Sequence, residues 1–305
     1  MTHKIGLVGI GLVGTAIAER LLAGEFDVVG FDIDSAKCRH LKELGAKAVS
    51  SPAEVANETD RVVLSLPDTE IVREVVEGPA GILEAKTSPT YIIDTTTGDP
   101  EETVALAKRL AKRGIYFLDA TISGSSRQVR NEEAVLMVGG DKAAFERCTD
   151  IFQVLTDTTL RSSASLRSTR KVFYLGPSGN GSRAKLAGNL ILGLNRLALA
   201  EGLVFASKLG LEPEAFLELL KVSPAYSAAM DTKGKKMLNG DFTPESRIRQ
   251  HHKDVSIILK YAEMAGQELP LSRVHLEVLE KAIAAGDGEM DNSAVIREIE
   301  RRNRL

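Results

Sequence analysis

Residues 4–32, KIGLVGIGLVGTAIAERLLAGEFDVVGFD, decide the fold of this 305-residue chain. The short apolar run at 5–8 predicts a buried strand, and residues 15–22 predict a helix with an apolar inner side. Between them, three glycines follow the spacing G-x-G-x-x-G. A second strand, predicted at 28–31, ends on Asp32. Strand, glycine turn, helix and second strand together predict the start of an α/β domain with a parallel sheet.

Each part of this unit has a physical role in binding a dinucleotide. The first glycine permits a tight turn, the second lets backbone approach a pyrophosphate, and the third lets the helix pack closely on the strand. The helix N-terminus supplies N–H groups and positive dipole for the phosphates, and Asp32 can accept hydrogen bonds from both ribose hydroxyls. A purely structural glycine turn is the alternative, but the acid about 20 positions further on favours the nucleotide. The predicted cofactor contacts here are Gly9, Ile10, Gly11, Leu12, Val13, Gly14 and Asp32.

The residues that follow Asp32 predict NAD rather than NADP as the cofactor. Ile33 and Asp34 come next, and neither is an arginine. A 2′-phosphate at this point would therefore meet two carboxylates, which repel it. Lys37 is the one nearby cation in the sequence that leaves NADP open as the alternative.

The composition is typical of a soluble globular protein, with 43% hydrophobic and 27% charged residues. A net charge of −3 gives no reason to expect a nucleic-acid or acidic-lipid partner. The two cysteines, Cys38 and Cys148, lack metal-ligand spacing, and so do the five histidines, so we expect no metal site. We expect both thiols to be reduced, which suits a cytoplasmic location. We also expect no secretory leader, because the first strand pattern begins almost at once.

Strand and helix patterns alternate through residues 1 to about 150 and imply a parallel sheet, so residues 1–180 are predicted to form a Rossmann dinucleotide-binding domain. Ligands bind beyond the carboxyl ends of such strands, so the loops at 66–67, 95–97 and 121–126 are candidate contacts. Residues 153–172 are rich in Ser, Thr and basic residues and predict a mobile surface loop. An anion-binding flap over the active site is the alternative for this segment. Further strands are expected at 46–49, 61–66, 91–94, 116–119 and 134–138, and helices at 35–44, from 52 onward and at 101–113.

Residues 181–305 contain no convincing strand pattern and predict an all-helical C-terminal domain. Its first helix, expected at 182–209, has apolar residues on more than one stripe and should be buried on several sides. Arg196 and Glu201 interrupt this stretch and favour a buried helix over a membrane span. Because one monomer would struggle to cover the helix, we expect a homodimer or homotetramer. The other helices are expected at 213–221, 227–237, 244–265, 272–285 and from 292 onward.

The second informative stretch is GNGSRAKLAGN, residues 179–189, at the expected domain junction. Lys185 and Asn189 stand four apart, so on a helix they share one face. A nicotinamide enzyme that acts on an alcohol needs a group that takes the hydroxyl proton as hydride leaves. A lysine can do this when desolvation or nearby positive charge lowers the pKa of its ammonium group. On spacing alone, a surface lysine and a helix-packing asparagine remain the simpler explanation.

Motifs along the whole chain resemble those of the β-hydroxyacid dehydrogenase family, the group of 3-hydroxyisobutyrate dehydrogenase and tartronate semialdehyde reductase. GIGLVG at 9–14 matches the cofactor fingerprint, and SLPD at 65–68 and DTTTGDP at 94–100 are similar to the loops that contact the cofactor. DATISGSS, starting at Asp119, is similar to the substrate loop, and GNGSRAKLAGN to the catalytic segment. HHKD, starting at His251, is similar to the family's Lys-Asp motif.

The resemblance implies an NAD(P)-dependent oxidoreductase acting on a CH–OH group, with a C-terminal domain like that of 6-phosphogluconate dehydrogenase. Its substrate would be a small 3-hydroxy acid or the matching semialdehyde, and Lys185 would be the general acid/base. The substrate contacts that it implies are Ser123, Gly124, Asn189 and Lys253. The cofactor contacts that it adds are Leu66, Pro67, Thr97 and Lys253.

Two positions depart from the family's pattern. Ser125 stands where a second glycine usually follows the substrate-loop serine, and Gly188 stands where an asparagine often precedes Asn189. These departures leave the chemistry intact and the shape of the substrate open. The rivals are an imine reductase, which resembles the family but usually lacks the lysine, and a non-catalytic NAD-binding module of the same fold. Lys185 disfavours both rivals.

Overall fold

The computed structural model describes residues 3–156 and 171–302. The chain separates into two compact units, Met1–Lys185 and Leu186–Leu305. The middle of the loop predicted at 153–172, residues 157–170, lies outside the described part of the chain. Its predicted ends are wrong, because Thr149–Leu155 is helical and Val172–Tyr174 forms a strand.

The first unit contains an eight-stranded sheet among its described residues. The strands are β1 (Lys4–Val8), β2 (Asp27–Phe31), β3 (Lys47–Ala48), β4 (Arg61–Leu64), β5 (Tyr91–Asp94), β6 (Tyr116–Ser123), β7 (Val135–Gly139) and β8 (Val172–Tyr174). Their order across the sheet is β3-β2-β1-β4-β5-β6-β7-β8. The predicted strand at 91–94 is confirmed to the residue, and the others shift by a few positions.

The prediction of a parallel sheet is wrong at one step, because β7 pairs antiparallel with β6. The register runs from Asp119 opposite Gly139 to Ser123 opposite Val135. The connection at 124–134 is too short for the crossover that a parallel neighbour needs. β8 then pairs parallel with β7, and the remaining neighbours are parallel as predicted.

Helices cover both faces of this sheet. They are α1 (Leu12–Ala23), α2 (Ser35–Glu43), α3 (Pro52–Glu58), α4 (Thr69–Glu77), α5 (Pro100–Ala111), α6 (Ser126–Arg130), α7 (Lys142–Arg147) and α8 (Thr149–Leu155). Adjacent strand residues pack on opposite sides, so Ile92 and Ile93 belong to different apolar clusters. Side-chain oxygens cap most helix starts; Ser51, for example, accepts from Glu54 N just before Pro52.

The second unit is helical, and its described residues contain no strand. Its helices are α9 (Asn180–Lys208), which begins in the first unit, α10 (Pro213–Lys221), α11 (Lys235–Asn239), α12 (Ile248–Met264), α13 (Pro270–Ala284) and α14 (Val295–Arg301). The helix predicted at 227–237 is divided into a π-helical turn, Met230–Gly234, and α11. The helix predicted from 292 starts with a 3-10 turn.

Helix α9 is the one helix in the described chain that is long and apolar enough to cross a membrane. Core helices of globular proteins have the same length and composition, so this property is weak evidence for a membrane span. The predicted burial on several sides is met only in part. Ile191 is 60% exposed and Phe205 is 65% exposed, whereas Lys185, Asn189 and Arg196 on the same helix are buried.

Candidate functional site

The glycine turn between β1 and α1 has the geometry that a pyrophosphate requires. Gly9 has a φ of 91°, which favours glycine, and a Cβ at Gly14 would lie 2.0 Å from Gly9 O. A Cβ at Gly11 would meet no protein atom within 4 Å, so the backbone there is open to a ligand. Helix α1 starts at Leu12 without a side-chain cap. Its first N–H groups can therefore bind an anion, and the residues present fit a dinucleotide.

Asp32 lies at the end of β2, beside this turn. Its Oδ2 accepts a hydrogen bond from Ile10 N over 2.6 Å, and its Oδ1 accepts from Asp34 N over 2.8 Å. Cys38 adds a third contact, because its thiol donates to Asp32 O over 3.2 Å. The carboxylate is thus held against the glycine turn by the backbone on both of its oxygens.

The other predicted cofactor residues of the first unit lie at the same edge of the sheet. A Cβ at Gly9 would lie 3.0 Å from Leu66 Cδ2, so Leu66 adjoins the glycine turn, and Pro67 follows it in the chain. Leu66 N donates to Thr96 Oγ1 over 3.1 Å and joins the loop after β4 to the loop that contains Thr97. These contacts follow from the parallel pairing of β1, β4 and β5, which places their carboxyl ends together.

Ser123 is the last residue of β6, and Gly124 follows it at this same edge. Gly124 has a φ of 151°, a conformation that favours glycine. The neighbouring Ser125 caps α6: Ser125 Oγ accepts from Gln128 N, and Gln128 Oε1 accepts from Ser125 N. The departure at Ser125 therefore has a structural role at the start of α6, which the sequence pattern did not show.

Lys185 lies in the second turn of α9 and is only 8% exposed. The start of this helix contacts β6, where Asp119 accepts hydrogen bonds from Gly179 N and Ser182 N, both over 2.9 Å. Burial raises the pKa of the Asp119 carboxyl, and the two N–H groups act in the opposite direction. Sequence reasoning missed Asp119, because 60 residues separate it from Gly179.

In the second unit, Asp254 joins two residues predicted to bind substrate. Asn189 Nδ2 donates to Asp254 Oδ2 over 2.8 Å, and Lys253 Nζ lies 3.2 Å from Asp254 Oδ1. Asp254 and Asn189 are buried, and the Lys253 side chain is partly exposed. Asp254 belongs to the HHKD motif, but its contact with Asn189, 65 positions away, could not be inferred from the motif.

A pair of histidines packs on α9 beside these residues. The rings of His251 and His275 lie 5.0 Å apart, and a Cβ at Gly193 would lie 2.4 Å from His251 Nε2. Burial, reinforced by the Arg196 cation, lowers the pKa of His275 to about 4. Among the described residues, no group of three or more His, Cys, Asp or Glu side chains is placed to hold a metal ion.

Two family models match the chain in succession. Residues 4–176 match a family described as the NAD binding domain of 6-phosphogluconate dehydrogenase. Residues 179–299 match a family described as NAD-binding of NADP-dependent 3-hydroxyisobutyrate dehydrogenase. The two matches together extend from β1 to α14.

Two relatives are similar to the chain over nearly its whole length. 2-(Hydroxymethyl)glutarate dehydrogenase of Eubacterium barkeri is 32% identical over 96% of this chain and 94% of its own. 2-Hydroxy-3-oxopropionate reductase of Escherichia coli is 30% identical over 97% of each. The crystal structure of 3-hydroxyisobutyrate dehydrogenase from Salmonella typhimurium has the same fold. It superimposes with a TM-score of 0.84 at 24% identity, over 96% of this chain and 99% of that one.

Proposed function

The chain belongs to the NAD(P)-dependent β-hydroxyacid dehydrogenase family, and from this premise we propose that Lys185 is the general acid/base for a small 3-hydroxy acid. The reaction is oxidation of the hydroxy acid or reduction of the matching semialdehyde. The observation that carries the proposal is a buried lysine on the helix whose start is bonded to β6, the strand that ends in Ser123. A surface lysine would instead be fully solvated, as the exposed Lys208 on the same helix is.

The chemistry assigned to each residue follows from its atoms. Bound NAD supplies the acceptor for the hydride that leaves the carbinol carbon. The Ser123 hydroxyl and the backbone at Gly124 bind the substrate carboxylate. Neutral Lys185 takes the hydroxyl proton at Nζ as the carbonyl forms, and in the reverse direction its ammonium returns that proton. Asn189 and Lys253 complete the proposed set of substrate ligands.

We propose NAD as the preferred cofactor. The two oxygens of Asp32 lie beside the glycine turn, where ribose hydroxyls can share them. Asp34 caps α2 with its carboxylate and adds a second negative charge at the place where NADP carries its extra phosphate. Lys253 is proposed as a further cofactor contact.

We propose a substrate in which the reacting carbon is bonded directly to the carbon that bears a carboxylate. The compounds named for the two relatives, 2-(hydroxymethyl)glutarate and 2-hydroxy-3-oxopropionate, share this arrangement. They differ in the rest of the molecule, so they support the class of substrate and not one member of it.

We also propose that the chain assembles as a homodimer or homotetramer in the cytoplasm. The support is the apolar face of α9, where Ile191 and Phe205 are mostly exposed. Sedimentation at micromolar concentration tests this assembly, and Phe205→Glu should shift it toward the monomer. Ile33→Glu replaces an equally apolar exposed residue in the first unit and is the control. A wild-type monomer would contradict the proposal.

The test of function is the initial rate with a panel of 3-hydroxy and 4-hydroxy acids, each with NAD and with NADP. Lys185→Ala should bind NAD as before and lose roughly 100- to 10,000-fold in turnover, the usual contribution of a general acid/base. Lys208→Ala removes an exposed lysine from the same helix and should leave the rate unchanged. Full turnover by Lys185→Ala would disprove the assignment, and faster turnover of a cyclic imine than of any hydroxy acid would favour the imine reductase.

A further inference from the structure

Strand β6 carries a row of polar side chains at positions 119, 121 and 123. Alternate strand residues point to the same side of a sheet, so Asp119, Thr121 and Ser123 form one row with a spacing of about 7 Å. The intervening Ala120 and Ile122 pack into the apolar cluster on the other face. Ser123 is the proposed carboxylate ligand, whereas Asp119 and Thr121 are buried and have no role in the proposed reaction.

The first two residues of this row bind the start of α9. The Asp119 carboxylate accepts from the N–H groups of Gly179 and Ser182, one on each oxygen. N–H groups at a helix start have no partner within the helix and favour a negative charge. Asp119 therefore fixes where the helix that carries Lys185 begins, although it lies far away in the sequence.

Thr121 binds the same helix one step further along. Its hydroxyl donates to Gly181 O over 2.9 Å, with Met137 O as a second acceptor at 3.3 Å. In an α-helix the carbonyl of residue 181 also accepts from the N–H of residue 185. The Thr121 hydroxyl thus binds the carbonyl that holds the backbone of Lys185.

The contact between helix and strand leaves no space for a side chain at Gly181. A Cβ there would lie 2.3 Å from Asp119 O and 2.6 Å from Met137 O. Both atoms belong to strand backbone, which cannot move aside cheaply. The start of α9 therefore rests directly on β6 and β7.

We infer that Asp119 and Thr121 are positioning residues that set the separation between Ser123 and Lys185. The inference rests on the proposed function, in which Ser123 binds the carboxylate of the substrate and Lys185 takes the proton of its hydroxyl. The number of bonds between these two groups differs between a 3-hydroxy and a 4-hydroxy acid. A fixed separation therefore selects the length of the substrate, because misplacement by about 1 Å can cost 100-fold in rate.

The test is the ratio of kcat/KM for a 3-hydroxy acid to that for the 4-hydroxy acid, measured in wild type and in Thr121→Val. The variant keeps the shape of the side chain and loses the hydroxyl. We expect kcat/KM for the preferred acid to fall about 10-fold and the ratio to fall at least about threefold. The ratio does not depend on the fraction of folded enzyme, so poor folding cannot imitate this result. Thr121→Ser restores the hydroxyl and should restore the ratio.

Thr156→Val is the matched control. Thr156 is as fully buried as Thr121, and its hydroxyl also donates to a backbone carbonyl, Phe152 O, over 2.9 Å. This control should leave the ratio unchanged. An unchanged ratio in Thr121→Val, whether the rates are kept or both fall equally, would overturn the inference. Absence of hydroxy-acid turnover in wild type would instead overturn the proposed function.

Discussion

The side-chain amide of Asn189 donates from Nδ2 to Oδ2 of Asp254 over 2.8 Å, and both side chains are buried. A carboxylate offers only acceptors, so this contact fixes which end of the amide faces Asp254. The Oδ1 atom of Asn189 is left on the other side. Under the proposed function, Asn189 therefore offers the substrate an acceptor, which suits a hydroxyl group better than a carboxylate.

The Asn189–Asp254 contact predicts a non-additive pair of substitutions. Asn189→Asp places two carboxylates together and should lower the free energy of unfolding by about 2–4 kcal/mol. Asp254→Asn keeps an acceptor oxygen for Asn189 but loses the charge that strengthens the contact, so it should lower the free energy of unfolding by about 1 kcal/mol. The double swap restores a donor and an acceptor and should recover at least about 1 kcal/mol of the summed loss. Urea unfolding of the four proteins measures this. Simple additivity would show that the contact contributes nothing.

Replacement of Asp32 by alanine should reduce the preference of the protein for NAD over NADP. The variant loses charge-assisted hydrogen bonds to the ribose, so affinity for NAD should fall roughly 10- to 100-fold. The affinity for NADP should fall by less than the affinity for NAD, because the variant no longer repels the 2′-phosphate with the Asp32 charge. Fluorescence titration with both cofactors gives the ratio of the two affinities. Asp27→Asn, at the other end of β2, is the control, and an equal fall for both cofactors would indicate only damage to the glycine turn.

His275 should make the fold less stable in acid. Its pKa is about 4 in the folded protein and 6.5 in the unfolded chain, so the unfolded chain takes up the proton first as the pH falls. The stability that neutral, buried His275 contributes is therefore fully present above pH 6.5 and is lost as the pH falls from 6.5 to 4. At pH 5 the loss from this group is about 2 kcal/mol.

The comparison that tests this prediction is urea unfolding at pH 7.5 and pH 5. Between pH 7.5 and pH 5, the free energy of unfolding of His275→Leu should fall by about 2 kcal/mol less than that of wild type. His40→Gln removes an exposed histidine and should behave as wild type does. The same acid-induced loss in wild type and His275→Leu would assign the effect to other groups.

Two glycines of α9 should respond oppositely to alanine. A Cβ at Gly193 would lie 2.4 Å from His251 Nε2 and 2.6 Å from His275 Cε1, so Gly193→Ala should destabilise the protein by about 1–3 kcal/mol. A Cβ at Gly202 would meet nothing within 4 Å, and Gly202→Ala should stabilise by up to about 1 kcal/mol. Thermal unfolding distinguishes the two. Equal shifts of the unfolding temperature in the same direction for both variants would contradict the close packing of His251 and His275 on Gly193.

The sequence predicted those parts of the fold that local patterns determine. The unit from β1 to Asp32 is continuous in the chain, and its apolar period and glycine spacing both lie within about 30 residues. The antiparallel β7 was misjudged, because pairing direction depends on which strand lies alongside. The short helix α6 was missed, since its five residues lie within a serine-rich loop pattern.

The residues of the candidate site likewise fall into those that the sequence motifs indicated and those that only the structure revealed. Lys185 and Asn189 were assigned roles through the resemblance of GNGSRAKLAGN to the catalytic segment, because their spacing on one helix face was by itself also compatible with a surface lysine. Asp119, Thr121 and Asp254 were not assigned roles, because their partners lie 60 or more positions away. A single sequence shows which residue types are present, but it does not show which distant backbone group a buried carboxylate will bind.

The two backbone N–H groups that hold Asp32 have a consequence for the kinetics of cofactor capture. A carboxylate that is free to rotate loses conformational entropy when a ligand binds, and this loss weakens affinity. Ile10 and Asp34 restrict the rotation of Asp32 before any ligand arrives, so that loss has already occurred during folding. Adenosine capture should therefore proceed in a single fast phase whose rate increases linearly with cofactor concentration, without a slow rearrangement of the ribose-binding side chain.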